Sequence, residues 1–232
     1  MNHFNLINGV LHAEDVALSD IADAVGTPVY VYSRATFERH AQVFRDALSG
    51  LDNPHIAFAV KSNPNLAVLK VLARQGYGAD VVSGGEMDRA LAAGMAAEDI
   101  VFSGVGKTAE EITRALKAGI GQFNIESEEE GRELADIATS LELTAHAVLR
   151  INPDVDAGTH GKISTGKADN KFGVGIHRAA EIYARLSVLP NLHMRGLALH
   201  IGSQLTSLEP LETAFTKVGV LVQLLRSQGH EV

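Results

Sequence analysis

Lys61 is the residue with the clearest chemical potential, because it directly follows an apolar, strand-like run at positions 56–60 (IAFAV). In a parallel α/β barrel, residues at the carboxyl ends of the strands face the active-site mouth. Desolvation between apolar walls favours the neutral form of an amine, and a neutral amine can condense with an aldehyde. On position alone, however, a solvent-facing lysine at the start of a loop is the more common case. The role of Lys61 therefore depends on its neighbours.

Several other polar residues lie in or after apolar runs or in loops, and each has an ordinary structural explanation. Asp80 and Arg150 fall within strand-like runs, and each could instead be one half of a structural ion pair. His200 ends an apolar run and precedes a Gly-Ser turn that contains Ser203, where the alternatives are an ordinary surface or core histidine and a turn or cap serine. Lys171, in a polar loop, could contact a ligand, although loop lysines are more often solvated.

Short apolar runs alternate with helical patterns from residue 56 onward, and the first five begin about 22 residues apart. This spacing accommodates one strand, one three-turn helix and two short loops, as in consecutive βα units of a parallel sheet. The predicted fold class is α/β, with a parallel (β/α)8 TIM-type barrel of which about six units are present. The predicted strands are 56–60, 79–82, 100–102, 122–125, 145–151 and 197–201.

Helix boundaries are predicted from local capping signals. Three hydroxyl residues are each followed three positions later by Glu, the pattern of a capping box, and Asn63 followed by Pro64 predicts an N-cap with proline at the first helical position. Three glycines predict helix ends. The capping pairs are Ser83/Glu86, Thr108/Glu111 and Ser127/Glu130, and the glycines are Gly76, Gly94 and Gly119.

Two regions fall outside the repeating pattern. Residues 1–33 predict a short helix at about 18–25 and an extended run at 28–32, which we assign to a separate β domain, and residues 34–232 form the barrel. Residues 152–177 form a long polar excursion, and loops of this length usually carry function. A complete barrel needs about 250 residues and eight strands. We therefore expect the barrel to be incomplete within this chain.

Composition and charge exclude several classes of protein. The net charge is −8 and the 20 basic residues are scattered, so a nucleic-acid partner is not expected. The chain has no cysteine, and its histidines lack metal-ligand spacing, so no metal is expected.

Residues 104–108 (GVGKT) end like a phosphate-binding P-loop, but Val101 stands where that motif requires its first glycine. We read no signal peptide and no membrane span, and expect a cytoplasmic protein.

Residues 59–65 (AVKSNPN) closely resemble the cofactor-lysine motif of the alanine-racemase-like pyridoxal-phosphate enzymes, in particular the diaminopimelate decarboxylases. Six further segments are similar to that family in the same order along the chain, and the 152–177 excursion is similar to a loop specific to these decarboxylases. The segments are 27–32, 80–86, 102–108, 124–127, 149–155 and 200–204.

The resemblance implies pyridoxal 5'-phosphate as cofactor and assigns a role to each candidate residue. It implies that Lys61 and His200 are catalytic, with Lys61 forming the Schiff base to the cofactor and His200 stacking on its ring. It also implies that Ser203 binds the phosphate, that Asp80 lies beside the lysine and that Arg150 lies under the ring. All five would bind the cofactor.

For the activity, the resemblance implies decarboxylation of meso-2,6-diaminopimelate to L-lysine and CO2, the last step of lysine biosynthesis. It further implies a homodimer whose active site is shared between subunits, and a C-terminal β domain beyond residue 232. The alternatives are a decarboxylase of the same fold acting on ornithine, arginine or carboxynorspermidine, a non-catalytic pyridoxal-phosphate-binding protein, or a degenerate relative that binds a partner protein.

Overall fold

The computed structural model describes residues 3–155, 172–203 and 205–232, which form a small antiparallel sheet followed by a larger parallel sheet covered by helices. The strands are β1 (Phe4–Ile7), β2 (Val10–Ala13), β3 (Val16–Ala17), β4 (Ala57–Ala59), β5 (Gly78–Val81), β6 (Ile100–Phe102), β7 (Gln122–Ile125), β8 (Ala145–Asn152), β9 (Val174–Gly175) and β10 (Leu192–Leu199). The helices are α1 (Leu18–Val25), α2 (Arg34–Ala47), α3 (Leu66–Arg74), α4 (Gly84–Ala92), α5 (Ala109–Ala118), α6 (Glu128–Ser140), α7 (Ile176–Ser187) and α8 (Glu209–Ser227).

The large sheet is parallel throughout, and its strands pair in the order β4-β5-β6-β7-β8-β10, with the two-residue β9 also paired to β8. Strand order therefore follows chain order without a reversal. A doubly wound sheet reverses at its switch point, whereas an α/β barrel winds in one direction. Helices α3 to α8 each contact the next one along the chain, so they form a layer in the same order. The predicted parallel α/β fold is confirmed.

The six predicted strands are all present, with changes at their ends. The strands at 100–102 and 122–125 match the prediction, while β10 begins at Leu192 and ends at Leu199, earlier than predicted. The short β9 was not predicted, because two residues beside a polar loop give no periodic signal. No described helix is both long enough and apolar enough to cross a membrane.

The N-terminal sheet contains β1, β2 and β3 in antiparallel order. The predicted helix at 18–25 is confirmed as α1, but the extended run at 28–32 forms no strand, and Tyr30 there is 88% exposed. The separate sheet comes instead from residues 4–17. Its β1–β2 hairpin turns at Asn8-Gly9, both with positive φ. Asn-Gly between two strands is a strong hairpin signal, so this hairpin could have been predicted.

The prediction that Asn63 caps α3 is wrong. Residues Val60–Ser62 form a 3-10 turn, and the helix begins at Leu66 with Asn65 as its N-cap. The Asn65 side chain accepts a hydrogen bond from the backbone N–H of Ala67 at 2.9 Å. The extra turn after β4 moves the chain past Pro64 before helical geometry is reached.

The three predicted hydroxyl caps are present, but only Thr108/Glu111 forms the reciprocal capping box. The carboxylates of Glu86 and Glu130 instead accept the backbone N–H one residue before the cap, from Val82 and Glu126 respectively, at 2.8 Å. The predicted glycines Gly76, Gly94 and Gly119 follow the helices with positive φ.

Candidate active site

A cavity of about 470 Å³ opens at the carboxyl ends of the parallel strands, where an α/β barrel carries its active site. It receives residues from β5, β7, β8 and β10 and from the turns after β4 and β6. The lining residues are Lys61, Asp80, Val82, Ser103, Gly104, Val105, Asn124, Arg150, Phe172, Ala198, Leu199 and His200.

Strand register explains why residues so far apart in sequence meet here. Asp80 pairs with Ala59 on one side, and Ala198 pairs with Arg150 on the other. Because side chains alternate between the two faces of a strand, paired residues and residues two positions further on share a face. On β7, the buried Phe123 and Ile125 face the helices, which leaves Asn124 on the cavity side. Four of the five predicted site residues therefore lie around one cavity.

Lys61 lies in the 3-10 turn immediately after β4, and its side chain is exposed toward the cavity. The turn is held by Ser62, whose hydroxyl donates to the carbonyl of Ala59 at 2.7 Å. The predicted strand ran to residue 60, whereas β4 ends at Ala59, so Lys61 lies within the turn and not directly after the strand. Apolar side chains, among them Val82 and Leu199, line the same cavity as Lys61.

Asp80 is half-buried in β5, and its Oδ1 atom is buried without a hydrogen-bond partner among the described residues. A buried carboxylate oxygen that accepts no hydrogen bond is energetically unfavourable. A donor entering the cavity would satisfy it. Asp80 is therefore suited to receive a hydrogen bond from a ligand or from an amine that swings toward it.

Arg150 contributes a cation to the cavity and is fixed on two sides. Its Nη1 atom donates to Glu126 Oε1 at 2.6 Å, and its guanidinium carbon lies 5.3 Å from the centre of the Phe172 ring. The ion pair is largely enclosed, since the side chains of Arg150 and Glu126 are 14% and 4% exposed. The sequence left open a pair between Arg150 and Asp80; in the structure the carboxylate partner is Glu126.

His200 follows β10 at the rim of the cavity. The residue is exposed on the cavity side, yet the protein around it lowers the pKa of its imidazole. Desolvation is the largest cause, followed by the positive charges of Arg150 and Lys61, while Asp80 acts in the opposite direction. A lowered pKa keeps the ring neutral at physiological pH, so His200 adds a flat, uncharged surface beside two cations.

Of the remaining predicted ligand-binding positions, Ser203 does not join this group and Lys171 cannot be compared with it. Ser203 is exposed and is not among the residues that line the cavity. Lys171 and most of the 152–177 excursion lie outside the described residues, as does the last residue of the 200–204 segment.

Sequence reasoning assigned no role to several residues that build the site. Asn124 donates to the hydroxyl of Ser103 at 2.9 Å, which links the ends of two neighbouring strands, and Glu126 and Phe172 hold Arg150. Alternation along the strands could have identified Asn124, since it lies between two apolar residues. Nothing local in the sequence connects Phe172 or Glu126 with Arg150.

Comparison with known proteins agrees with this geometry. The model of the family described as "Pyridoxal-dependent decarboxylase, pyridoxal binding domain" matches residues 34–232. The chain is 54% identical to the diaminopimelate decarboxylase of Pseudomonas fluorescens over 231 residues, which are 99% of this chain and 55% of that protein.

Solved structures give the same result. The diaminopimelate decarboxylase of Helicobacter pylori, complexed with L-lysine, superposes with a TM-score of 0.88 at 41% identity, covering 92% of this chain and 54% of that one. The enzyme of M. jannaschii, in co-complex with L-lysine, superposes with a TM-score of 0.89 at 34% identity, covering 99% and 54%. The chain thus spans about half the length of the relatives it matches. By the extent of the family match and the residues gathered at its strand ends, this chain belongs to the pyridoxal-dependent decarboxylase family, within the family's pyridoxal binding domain.

Proposed function

We propose that this chain is the cofactor-binding part of a diaminopimelate decarboxylase and that Lys61 binds pyridoxal 5'-phosphate covalently. The observation that carries the proposal is the convergence of Lys61, Asp80, Arg150 and His200 on one cavity at the carboxyl ends of the strands. The high identity to diaminopimelate decarboxylases supports the substrate assignment. No observation favours an ornithine, arginine or carboxynorspermidine decarboxylase over this one.

The residues present fit such a cofactor. A volume of about 470 Å³ lies within the range of about 300–1,000 Å³ typical of small-molecule sites. The donor set includes an exposed primary amine on Lys61, which an aldehyde requires, and a cation on Arg150. The unpartnered Oδ1 of Asp80 provides an acceptor that the described residues leave unused.

Each residue then has a defined task. The bound cofactor supplies the conjugated ring that accepts the electron pair left by the departing carboxylate. Lys61 would hold the cofactor through its Nζ atom, and Asp80 Oδ1 could accept a hydrogen bond from a donor beside it. Arg150, fixed by Glu126, keeps positive charge at one wall, and the neutral imidazole of His200 gives a flat contact surface. Ser203 would contribute a hydroxyl to the phosphate.

The proposal for the whole protein extends beyond this chain. The complete enzyme would convert meso-2,6-diaminopimelate to L-lysine and CO2 in the cytoplasm, as a homodimer that shares its active site between subunits. Residues 1–33 would contribute to a second, β domain, while residues 34–232 form the cofactor-binding barrel domain. The small antiparallel sheet at residues 4–17 supports this division.

The test uses the full-length protein with pyridoxal 5'-phosphate added. We expect absorbance in the imine band, loss of that band on borohydride reduction, and recovery of the label on the peptide that contains Lys61. The Lys61→Ala variant should carry no label, whereas Lys70→Ala, at an exposed position on α3, should be labelled like the wild type. A label on another lysine, or full labelling of Lys61→Ala, would refute the assignment. Release of CO2 from ornithine but not from diaminopimelate would refute the substrate.

A further inference from the structure

Lys107 is a buried lysine that does not line the cavity but is attached to its wall. Its side chain is only 2% exposed, and its ammonium donates three hydrogen bonds, the full number available to it. The acceptors are the carbonyls of Gly104 and Asn124, at 2.7 and 2.8 Å, and Glu130 Oε1 at 2.6 Å. Both carbonyls belong to cavity-lining residues at the ends of neighbouring strands.

Burial of this ammonium is not explained by stability alone. Taking two charges out of water carries a desolvation penalty that can exceed their attraction, and apolar replacements of a buried ion pair are often neutral or stabilising. Lys107 lies on the sequence segment that resembles a P-loop tail, and the three acceptors of its ammonium are all protein groups. We therefore ask whether Lys107 arranges the groups that accept its hydrogen bonds.

Glu130 carries the connection one step further. Its second oxygen, Oε2, accepts the backbone N–H of Glu126 at 2.8 Å, while Ser127 caps the same helix through the Glu130 N–H at 3.1 Å. Glu126 in turn accepts the 2.6 Å hydrogen bond from Arg150 through Oε1, and its Oε2 has no hydrogen-bond partner among the described residues. The carboxylate oxygen that Arg150 contacts therefore has a position that depends on the backbone that Glu130 fixes.

These hydrogen bonds, together with the covalent structure of Glu130 and Glu126, connect Lys107 with Arg150 in the cavity. We propose that Lys107 is a positioning residue: through the two glutamates it holds the Arg150 guanidinium in the cavity. The inference rests on the proposed function, because it takes the cavity as the cofactor site. Lys107 itself touches neither the cavity nor its contents.

His200 provides a readout that does not depend on turnover. The described charged groups that act on it are Arg150 and Lys61, which lower the pKa of His200, and Asp80, which raises it. If Lys107 is replaced and Arg150 moves away, one of the causes of the lowered pKa weakens. The pKa of His200 should then rise toward its ordinary value, even in protein without cofactor.

The experiment is a double-mutant cycle in the full-length protein, with Lys107→Met, Arg150→Met and the double variant. The pKa of His200 is measured by NMR before pyridoxal 5'-phosphate is added, and the apparent Kd for that cofactor is measured by absorbance. We expect Lys107→Met to raise the His200 pKa and to weaken cofactor binding about tenfold, as for loss of one hydrogen bond to a charged group. In the Arg150→Met background, adding Lys107→Met should change neither the His200 pKa nor the apparent Kd further.

Two further variants keep the test decisive. Lys117→Met removes an exposed lysine from the last turn of α5 and should match the wild type in both measurements. If Lys107→Met does not fold, Glu126→Gln removes the charge from the group that holds Arg150, with little change in volume, and should also weaken cofactor binding.

The outcomes separate this inference from the proposed function. An effect of Lys107→Met that persists at full size without Arg150, or wild-type values in both Lys107→Met and Glu126→Gln, would overturn the positioning role. If the wild type does not bind the cofactor covalently, the proposed function fails, while the NMR cycle still reports whether Lys107 acts on Arg150.

Discussion

Gly131 offers a quantitative test of how closely α6 packs on the sheet beside the site. It is buried within α6, and a Cβ atom at this position would lie 2.7 and 3.0 Å from the two terminal methyl carbons of Leu186 and 3.1 Å from that of Ile125. Leu186 and Ile125 are fully buried, so neither can turn away into solvent. The substitution Gly131→Ala should therefore force α6 outward or strain its neighbours.

The expected magnitude is the difference between two opposing contributions. Alanine in place of glycine inside a helix stabilises by about 1 kcal/mol. Overpacking of a filled core destabilises by about 1–3 kcal/mol. Gly131→Ala should thus leave the free energy of unfolding unchanged at best and lower it by about 2 kcal/mol at worst.

Gly219→Ala is the matched control. Gly219 lies within α8 and is exposed, and a Cβ atom added there would meet no atom of a neighbouring element within 4 Å. Only the helical gain of about 1 kcal/mol should therefore remain. Urea unfolding of the full-length variants, followed by circular dichroism, compares the two. If Gly131→Ala stabilises the protein as much as Gly219→Ala does, the inference that α6 packs too closely on Leu186 and Ile125 to admit a methyl group is refuted.

Two other substitutions test different features of the fold. Gly121→Ala would place a Cβ atom 1.9 Å from the backbone oxygen of Glu98, and because a backbone atom cannot rotate away, we expect a loss of at least about 3 kcal/mol, seen as a large drop in thermal midpoint. Glu128 is paired with Arg185 and Arg132, which lower the pKa of its carboxyl from 4.5 to about 2. The stabilisation from these pairs should be complete above pH 4.5 and disappear as the pH falls toward 2. Glu128→Gln should therefore be less stable than the wild type at neutral pH, and the two should converge at low pH.

The fold was largely predictable because its signals are local and repeated. Each βα unit carries its own apolar run, cap and terminal glycine, so six parallel strands could be found without knowledge of their partners. The error at the start of α3 occurred where one local rule competed with another. Asn63 and Asn65 are both good caps, and only the 3-10 turn after β4 decides between them.

The cavity-lining residues were predicted in two ways. Lys61 and His200 follow apolar runs, whereas Asp80 and Arg150 lie within β5 and β8 and were assigned to the site by the family resemblance. Their supports were not predictable. Glu126 pairs with Arg150 across 24 positions, the same offset as the β7–β8 register, but the sequence showed where the strands lie and not the register in which they pair.

Lys107 shows most clearly where sequence reasoning ends. In the sequence it belongs to GVGKT, and the only question that the pattern raised was whether it contacts a phosphate. In the structure its three acceptors come from its own loop, from β7 and from α6. The glycines that precede it let the loop bend back, with Gly104 and Gly106 both at positive φ, and this bend directs the ammonium inward. A flexible loop of this kind would also suit a phosphate, but in this protein it buries a cation behind the wall of the site. That outcome depends on how two strands and a helix are arranged in three dimensions, so the sequence pattern could not predict it.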